Sequence, residues 1–352
     1  MHLKFSALSF LSLFAGICGT QGIQNATSAP RADISSASPA IQIASWTAPK
    51  VQHAYGLPES NPKAKGTLTI DSTGLTFSSK ASQYTIPWSS AIALSNGTER
   101  VELWGATGRI VRMMIPDGGG LAAAGVMHHK VNELTIEFHD SRGAYHGAVF
   151  LLPGRDASHV LDSYTQAAPS AKDNSSVKSL PEPNRLTCSG IVDSARSVLV
   201  PAPTWSQADV PAAYRALVYE HIVDRMQRVE GVGHVYRAGE SSSQKTCARY
   251  TVTISVVSFK PGSQVQRATM GPIGFFAGTT QMAFSANITD ASGKLNVTNQ
   301  IKTTVRGESE SKNVADGFAK KLAKYYASSI KPYEQGQMTD KTESFSTALL
   351  SH

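Results

Sequence analysis

GTLTIDSTGLTFSS, residues 66–79, decides how the first half of the chain folds. Leu68 and Ile70, then Leu75 and Phe77, alternate with small polar residues, and Asp71-Ser72-Thr73-Gly74 interrupts them with turn chemistry. Alternation at period two places every second side chain on one face of a strand, so the stretch predicts a β-hairpin. Working outward, YTIPWSSAIALS repeats the pattern through Ile86, Trp88 and Ile92, and VELWG and RIVRMMIP add short strands. ELTIEFHDSRGAYHGAVFLLP (133–153) predicts a further hairpin turning at Asp140-Ser141-Arg142-Gly143. Ala157, Val160, Leu161 and Tyr164 then recur at helical spacing. The order is about seven short strands followed by one helix.

AAPSAKDNSSVKSLPEPN (167–184) has no apolar periodicity and three prolines, the composition of a linker. Beyond it the rhythm changes. SVLVPAP predicts a short strand, and Asp209 is placed to cap a helix carrying Pro211 in its first turn. Leu217, Val218, His221, Ile222, Arg225, Met226 and Val229 trace a largely apolar stripe at helical spacing. ARYTVTISVVSFKPG is a strong strand, and TQMAFSANITDASG with NVTNQIKTTVRG forms an alternating pair turning at Asp290-Ala291-Ser292-Gly293. NVADGFAKKLAKYYASSI closes the order as an amphipathic helix. Val314, Phe318, Leu322 and Tyr325 or Tyr326 are expected inside, and Lys320, Lys321 and Lys324 outside.

The fold class expected is therefore α+β. A small β-barrel or sandwich with a C-terminal helix occupies 61–166, and the 167–184 linker joins it to a β-α-β-β-β-α two-layer domain over 185–330. Residues 1–22 read as a signal peptide: Lys4 precedes the apolar Phe5–Ile17 stretch, which is too short to span a bilayer comfortably, and small residues follow. Residues 23–60 read as a flexible leader and 331–352 as a disordered tail. No later stretch is long and apolar enough for a transmembrane helix. The export expected from the signal peptide makes the compartment periplasmic or extracellular. With the signal removed, Cys188 and Cys247 remain, an even count that an oxidising compartment favours as a disulfide. The formal charge of +7 is mild for 352 residues, permits contact with anionic envelope polymers or lipid surfaces, and lacks the basic stripe that nucleic acid requires.

The first domain resembles the pleckstrin-homology-like superfold, including its GRAM branch. The likeness is carried by Gly66-x-Leu68-x-Ile70 with Gly74-Leu75-x-Phe77, by Ile86-Pro87-Trp88 leading to Ile92, and by Val149-Phe150-Leu151 running into the helix at Ala157–Tyr164. That resemblance implies lipid, peptide or protein binding without fixing the ligand. The second domain resembles α/β domains of bacterial envelope proteins: a family of uncharacterised envelope lipoproteins, the N-terminal domain of the Tol system's propeller protein, and the periplasmic part of the curli-secretion channel. Ser197–Val200, the strand Tyr250–Phe259 with its sequel Gly271–Gly278, the 290–293 hairpin and the final Ala-rich helix carry it. This resemblance implies assembly with partners rather than chemistry. Unlike the lipoprotein members, the chain has bulky Ile17 before Cys18 where a lipobox has a small residue, which argues against lipid anchoring.

The sequence holds no Gly-x-Ser-x-Gly elbow, no His-Glu-x-x-His and no Gly-x-x-x-x-Gly-Lys-Ser/Thr. His128 and His129 are adjacent on a strand and point to opposite faces, and His139 and His146 fall in a strand pair with no paired carboxylate pattern. No catalytic residue, metal or cofactor is therefore expected. The one candidate contact is the Gly-rich 271–278 run, whose Ile273, Phe275 and Phe276 would meet an apolar surface, either the domain's own core or a partner. The expectation is an exported, non-enzymatic binding or scaffolding protein of the bacterial envelope, meeting an envelope protein or a lipid surface. A lipid or small-ligand carrier and a hydrolase with a dispersed site are the alternatives.

Overall fold

The computed structural model describes residues 45–102, 128–152, 160, 162, 164, 191–192, 196–205, 207–240, 246–262, 278–305 and 312–349. The 66–79 hairpin forms as expected: β2 (Lys65–Ile70) lies antiparallel to β3 (Gly74–Ser79), with Leu68 opposite Phe77 and Ile70 opposite Leu75. The Asp71 carboxylate accepts the Thr73 hydroxyl at 2.6 Å and the Thr73 and Gly74 N–H groups at 2.7 and 3.2 Å. These bonds, the Thr73 hydroxyl first, hold its carboxyl below the ordinary range. The same device recurs wherever the sequence reads Asp-x-x-Gly at a hairpin. Asp140 accepts from the N–H groups of Arg142 and Ala144, and Asp290 from those of Ser292 and Leu295. A short acceptor side chain satisfying turn amides is what makes Asp a turn residue.

β4 (Gln83–Pro87) continues the meander; after a 3₁₀ turn at Trp88–Ser90 the chain starts a second one at the opposite edge, through β5 (Ala91–Glu102), β6 (His128–His139) and β7 (Tyr145–Leu152). The seven-stranded sheet has the order β4-β3-β2-β1-β7-β6-β5, with every neighbouring pair antiparallel. It is open, with β4 and β5 at its edges, so the expected barrel closure is absent. One core lies on one of its faces, built around Leu68, Phe77, Ile86, Ile136 and Phe150. Val160 and Tyr164 pack on that core, Tyr164 at 5.6 Å from Trp88.

β1 (Trp46–Tyr55) corrects the expected leader. It lies at the centre of the sheet, yet its alternation is broken. The register slips between Ala48 and Val51, and Lys50 takes φ 61°. A bulge shifts the buried set by one residue, which hides the strand from period-two reading. His53 is fully buried there: one ring nitrogen accepts the Leu57 N–H at 3.0 Å and the other donates to the Asn61 carbonyl at 3.2 Å.

The second sheet has the order β10-β9-β12-β13-β14. β9 (Ser197–Val200) pairs in parallel with β10 (His234–Arg237) and with β12 (Tyr250–Lys260), and β13 (Thr280–Asp290) and β14 (Asn296–Val305) follow antiparallel. The four-residue β10 adds a strand to the expected β-α-β-β-β-α order; it is too short to show a period. β8 (Ile191–Val192) and β11 (Thr246–Cys247) form a separate two-residue parallel pair. α1 (Ala212–Gln227) joins β9 to β10. Pro211 rather than Asp209 stands at its cap, with no side-chain bond, its locked φ of −55° leading the chain into the helix.

α2 (Asn313–Leu349) packs on β13 and β14 and against α1. Val314, Phe318, Leu322 and Tyr326 are buried and Lys320, Lys321 and Lys324 exposed, as the spacing expects. The helix does not stop at residue 330. It runs through Pro332 to Leu349, correcting the expected tail. Glu334 is buried against Arg196 and the Tyr250 hydroxyl, and Tyr333 donates to Asp290 at 2.8 Å. Both sheets belong to one compact unit.

Phe318 stacks on Phe284 with ring centres 3.6 Å apart and both rings fully buried. Phe318→Ala should lower stability by about 3–5 kcal/mol, measured as a shift of the urea unfolding midpoint without a change of slope.

Candidate functional site

β7 is buried on both of its faces. Ala148, Phe150 and Leu152 point into the first core, and Tyr145 and Val149 point the other way, into the core shared by α1 and the second sheet. α1 is correspondingly buried on two sides. The stripe legible in sequence gives one side, and Ala216, Tyr219, Glu220 and Val223 give the other. Small residues make that second contact possible: a Cβ on Gly147 would sit 2.6 Å from the Ala216 Cβ and 2.9 Å from its Cα. A little further along, Gly143 and Gly239 approach similarly, both at positive φ, with the carbonyl of each where the other's Cβ would be.

Close approach brings polar groups together. The Gly147 N–H donates to Glu220 Oε1 at 3.1 Å. Glu220 is buried and takes both arms of Arg237, at 2.9 and 2.8 Å, while Arg237 also donates to the Tyr145 carbonyl at 3.0 Å. Tyr219 donates to the Val200 carbonyl and accepts the Ala238 N–H, and the Tyr145 N–H donates to the Ala238 carbonyl. Two more pairs cross the seam: Glu137 of β6 with Arg215 of α1 at 3.3 Å, and Glu133 of β6 with Lys312, just before α2. Buried carboxylates are retained only when paired and hydrogen-bonded, and each of these three is.

His146 stands inside this cluster with 5% of its side chain exposed. It stacks on Phe138 at 5.3 Å. Its Nε2 is 3.5 Å from Asp140 and its Nδ1 is 3.7 Å from Glu220, and neither nitrogen makes a hydrogen bond. Burial pushes the imidazole below its ordinary value, outweighing the nearby Glu220 charge. The Asp140 carboxyl, which burial alone would raise, is held low by the Ala144 and Arg142 amides. On the far side of α1, Tyr55 of β1 lies 4.3 Å from the His221 ring, and burial with the Asp224 charge raises its phenol well above the ordinary value.

The sequence shows no paired carboxylate pattern around His146, yet the structure brings two carboxylates within 4 Å of its ring. Asp140 comes from its own hairpin turn, but Glu220 arrives from a helix 74 residues later, and no local pattern announces it. His128 lies opposite Glu102 and His129 opposite Val101 in the β5–β6 ladder. Cys247 is buried. Its expected partner Cys188, the loop residues Ile273, Phe275 and Phe276, and the signal peptide with Cys18 lie outside the described residues. Among the described residues, no group of three His, Cys, Asp or Glu side chains is arranged to hold a metal. No helix there is long and apolar enough to cross a membrane.

No family model matches the chain, and no curated protein matches it. Among solved structures it is similar to the PelC dodecamer of Paraburkholderia phytofirmans, at 20% identity over 36% of this chain and 84% of that one, with a TM-score of 0.28. A point variant of the same dodecamer gives 20% identity over 38% and 89%, with a TM-score of 0.27. Lipoprotein GNA1162 from Neisseria meningitidis gives 10% identity over 38% and 99%, with a TM-score of 0.25.

Gly147→Ala should cost about 1–3 kcal/mol by overpacking the β7–α1 contact. Adding Ala216→Gly should restore part of that loss, because it removes the nearer of the two clashing atoms. A double-mutant cycle in urea measures the coupling, and additive losses would contradict this account of the seam.

Proposed function

We propose that the chain is an exported, non-catalytic interaction protein of the bacterial envelope, presenting its two sheets as one joined platform to a protein or surface partner. The observation supporting this most directly is the use made of the buried charges at the seam. Glu133, Glu137 and Glu220 all tie β6 or β7 to the second half of the chain. Catalysis needs a nucleophile, a base and a donor converging where substrate can reach them. Carboxylates already engaged by lysine, arginine and backbone amides serve position instead.

The finer reading of the first sheet as pleckstrin-homology-like is supported by its two antiparallel meanders joined through β1 and β7, and by helical Val160 and Tyr164 seated on its core. The Cys188–Cys247 bridge belongs to the same reading. In protein isolated from an oxidising compartment, neither thiol should react with a thiol reagent until a reductant is added.

The decisive measurement combines photo-crosslinking in the native envelope with sedimentation of the purified mature chain. A complex of fixed stoichiometry is expected. A stoichiometric small molecule released by solvent extraction would replace this reading with that of a carrier. Turnover of an ester, glycoside or phosphoester abolished by one substitution that spares stability would replace it with that of an enzyme.

A further inference from the structure

Among the described residues, His146 is the buried seam side chain whose polar atoms face charge without a hydrogen bond to it. From the β6–β7 turn it faces Asp140, which carries Arg142 at 3.4 Å; from α1 it faces Glu220; and from β10 the Arg237 guanidinium stands behind Glu220. Phe138 of β6 covers one face of the ring, and Tyr84 of β4 lies against Phe138 at 6.0 Å. A buried polar group without a partner is costly, and its presence in a native fold calls for a reason. The other buried or half-buried histidines near the seam differ: His139 meets the Gly143 carbonyl at 2.9 Å. His53 has both nitrogens satisfied within the first core, and His221, on α1 against Tyr55, keeps contact with solvent.

We propose that His146 is a proton-operated latch on the seam: the neutral ring is compatible with β7 lying on α1, and taking up a proton releases β7 from α1. The closed cluster cannot hydrate an imidazolium. Both carboxylates beside it already have better partners, Glu220 in Arg237 and the Gly147 amide, and Asp140 in its turn amides. An added cation also stands close to Arg237, which lowers its own affinity for the proton. In the open seam the ring meets water and protonates at its ordinary value near 6.5.

The sign follows from linkage. The closed state binds its proton less readily than the open state, so closure is complete above about pH 6.5 and weakens as pH falls toward the depressed value. One proton is taken up per opening, so the open fraction rises at most about tenfold per pH unit within that window. Opening uncovers Tyr145, Val149 and Ala216, an apolar strip otherwise buried.

The test is native-state amide exchange on the full chain between pH 7.5 and 5, corrected for intrinsic rates. The reporters are the Tyr145 and Gly147 amides, whose bonds cross the seam. Amides of the β2–β3 and β12–β13 ladders serve as internal controls. Seam protection should fall toward tenfold per unit below pH 6.5 while the controls hold, and the imidazole shift of His146 should titrate below 6.5 with the same midpoint. In His146→Asn the seam should lose this pH dependence, and in His221→Asn it should keep it. Should His146→Asn fail to fold, the wild-type titration decides alone. A His146 midpoint at or above 6.5, or seam and control amides loosening together, overturns the latch. A seam response unchanged in His146→Asn would assign it to other groups and overturn it equally.

Discussion

The contact between Gly147 and Ala216 sets the distance at which α1 can lie on β7, and the architecture follows from it. A side chain on either residue larger than the one present would push the helix outward. That would part Glu220 from the Gly147 amide and Arg237 from the Tyr145 carbonyl. The two sheets are thus joined by a backbone-close contact of small residues with charged groups around it, not by a broad greasy face. Packing at this range tolerates little variation, since interiors are as dense as organic crystals.

The charges in that seam serve geometry more than net stability. A buried ion pair often does no better than an apolar pair of the same shape, whereas breaking one leaves an uncompensated charge at a cost of about 3–5 kcal/mol. Glu220 with Arg237, Glu137 with Arg215 and Glu133 with Lys312 therefore penalise wrong placements more than they reward the right one. They fix one docking of the sheets among the several that hydrophobic contact alone would allow.

What could be read from the sequence was whatever repeats locally. The Asp-x-x-Gly hairpins, the β12–β14 alternation and the Phe318 face of α2 all repeat at the period of a single element, and all appear where the spacing puts them. β1 escaped because Pro49 and Lys50 bulge and shift its phase. β10 escaped because four residues cannot display a period. The second face of α1 escaped because Glu220 is charged, a type that normally faces water, and Ala216 is too small to mark an apolar stripe. The seam itself was illegible for a deeper reason. Gly147 and Glu220 are 73 residues apart and Glu133 and Lys312 are 179 apart, so each partner is written without any trace of the other.

The central pairing of the first sheet has a consequence in time. Gln52 of β1 lies opposite Leu151 of β7, so the ladder at the middle of that sheet joins positions about 100 residues apart, while β2–β3, β3–β4 and β6–β7 are each joined by a short turn. Each flanking set of strands can zip along its turns as the chain emerges. The middle must wait until both have emerged, and its closure carries the largest entropic toll of the sheet. Until then β1 and β7 are two bare edges, each able to pair with whatever strand it meets first.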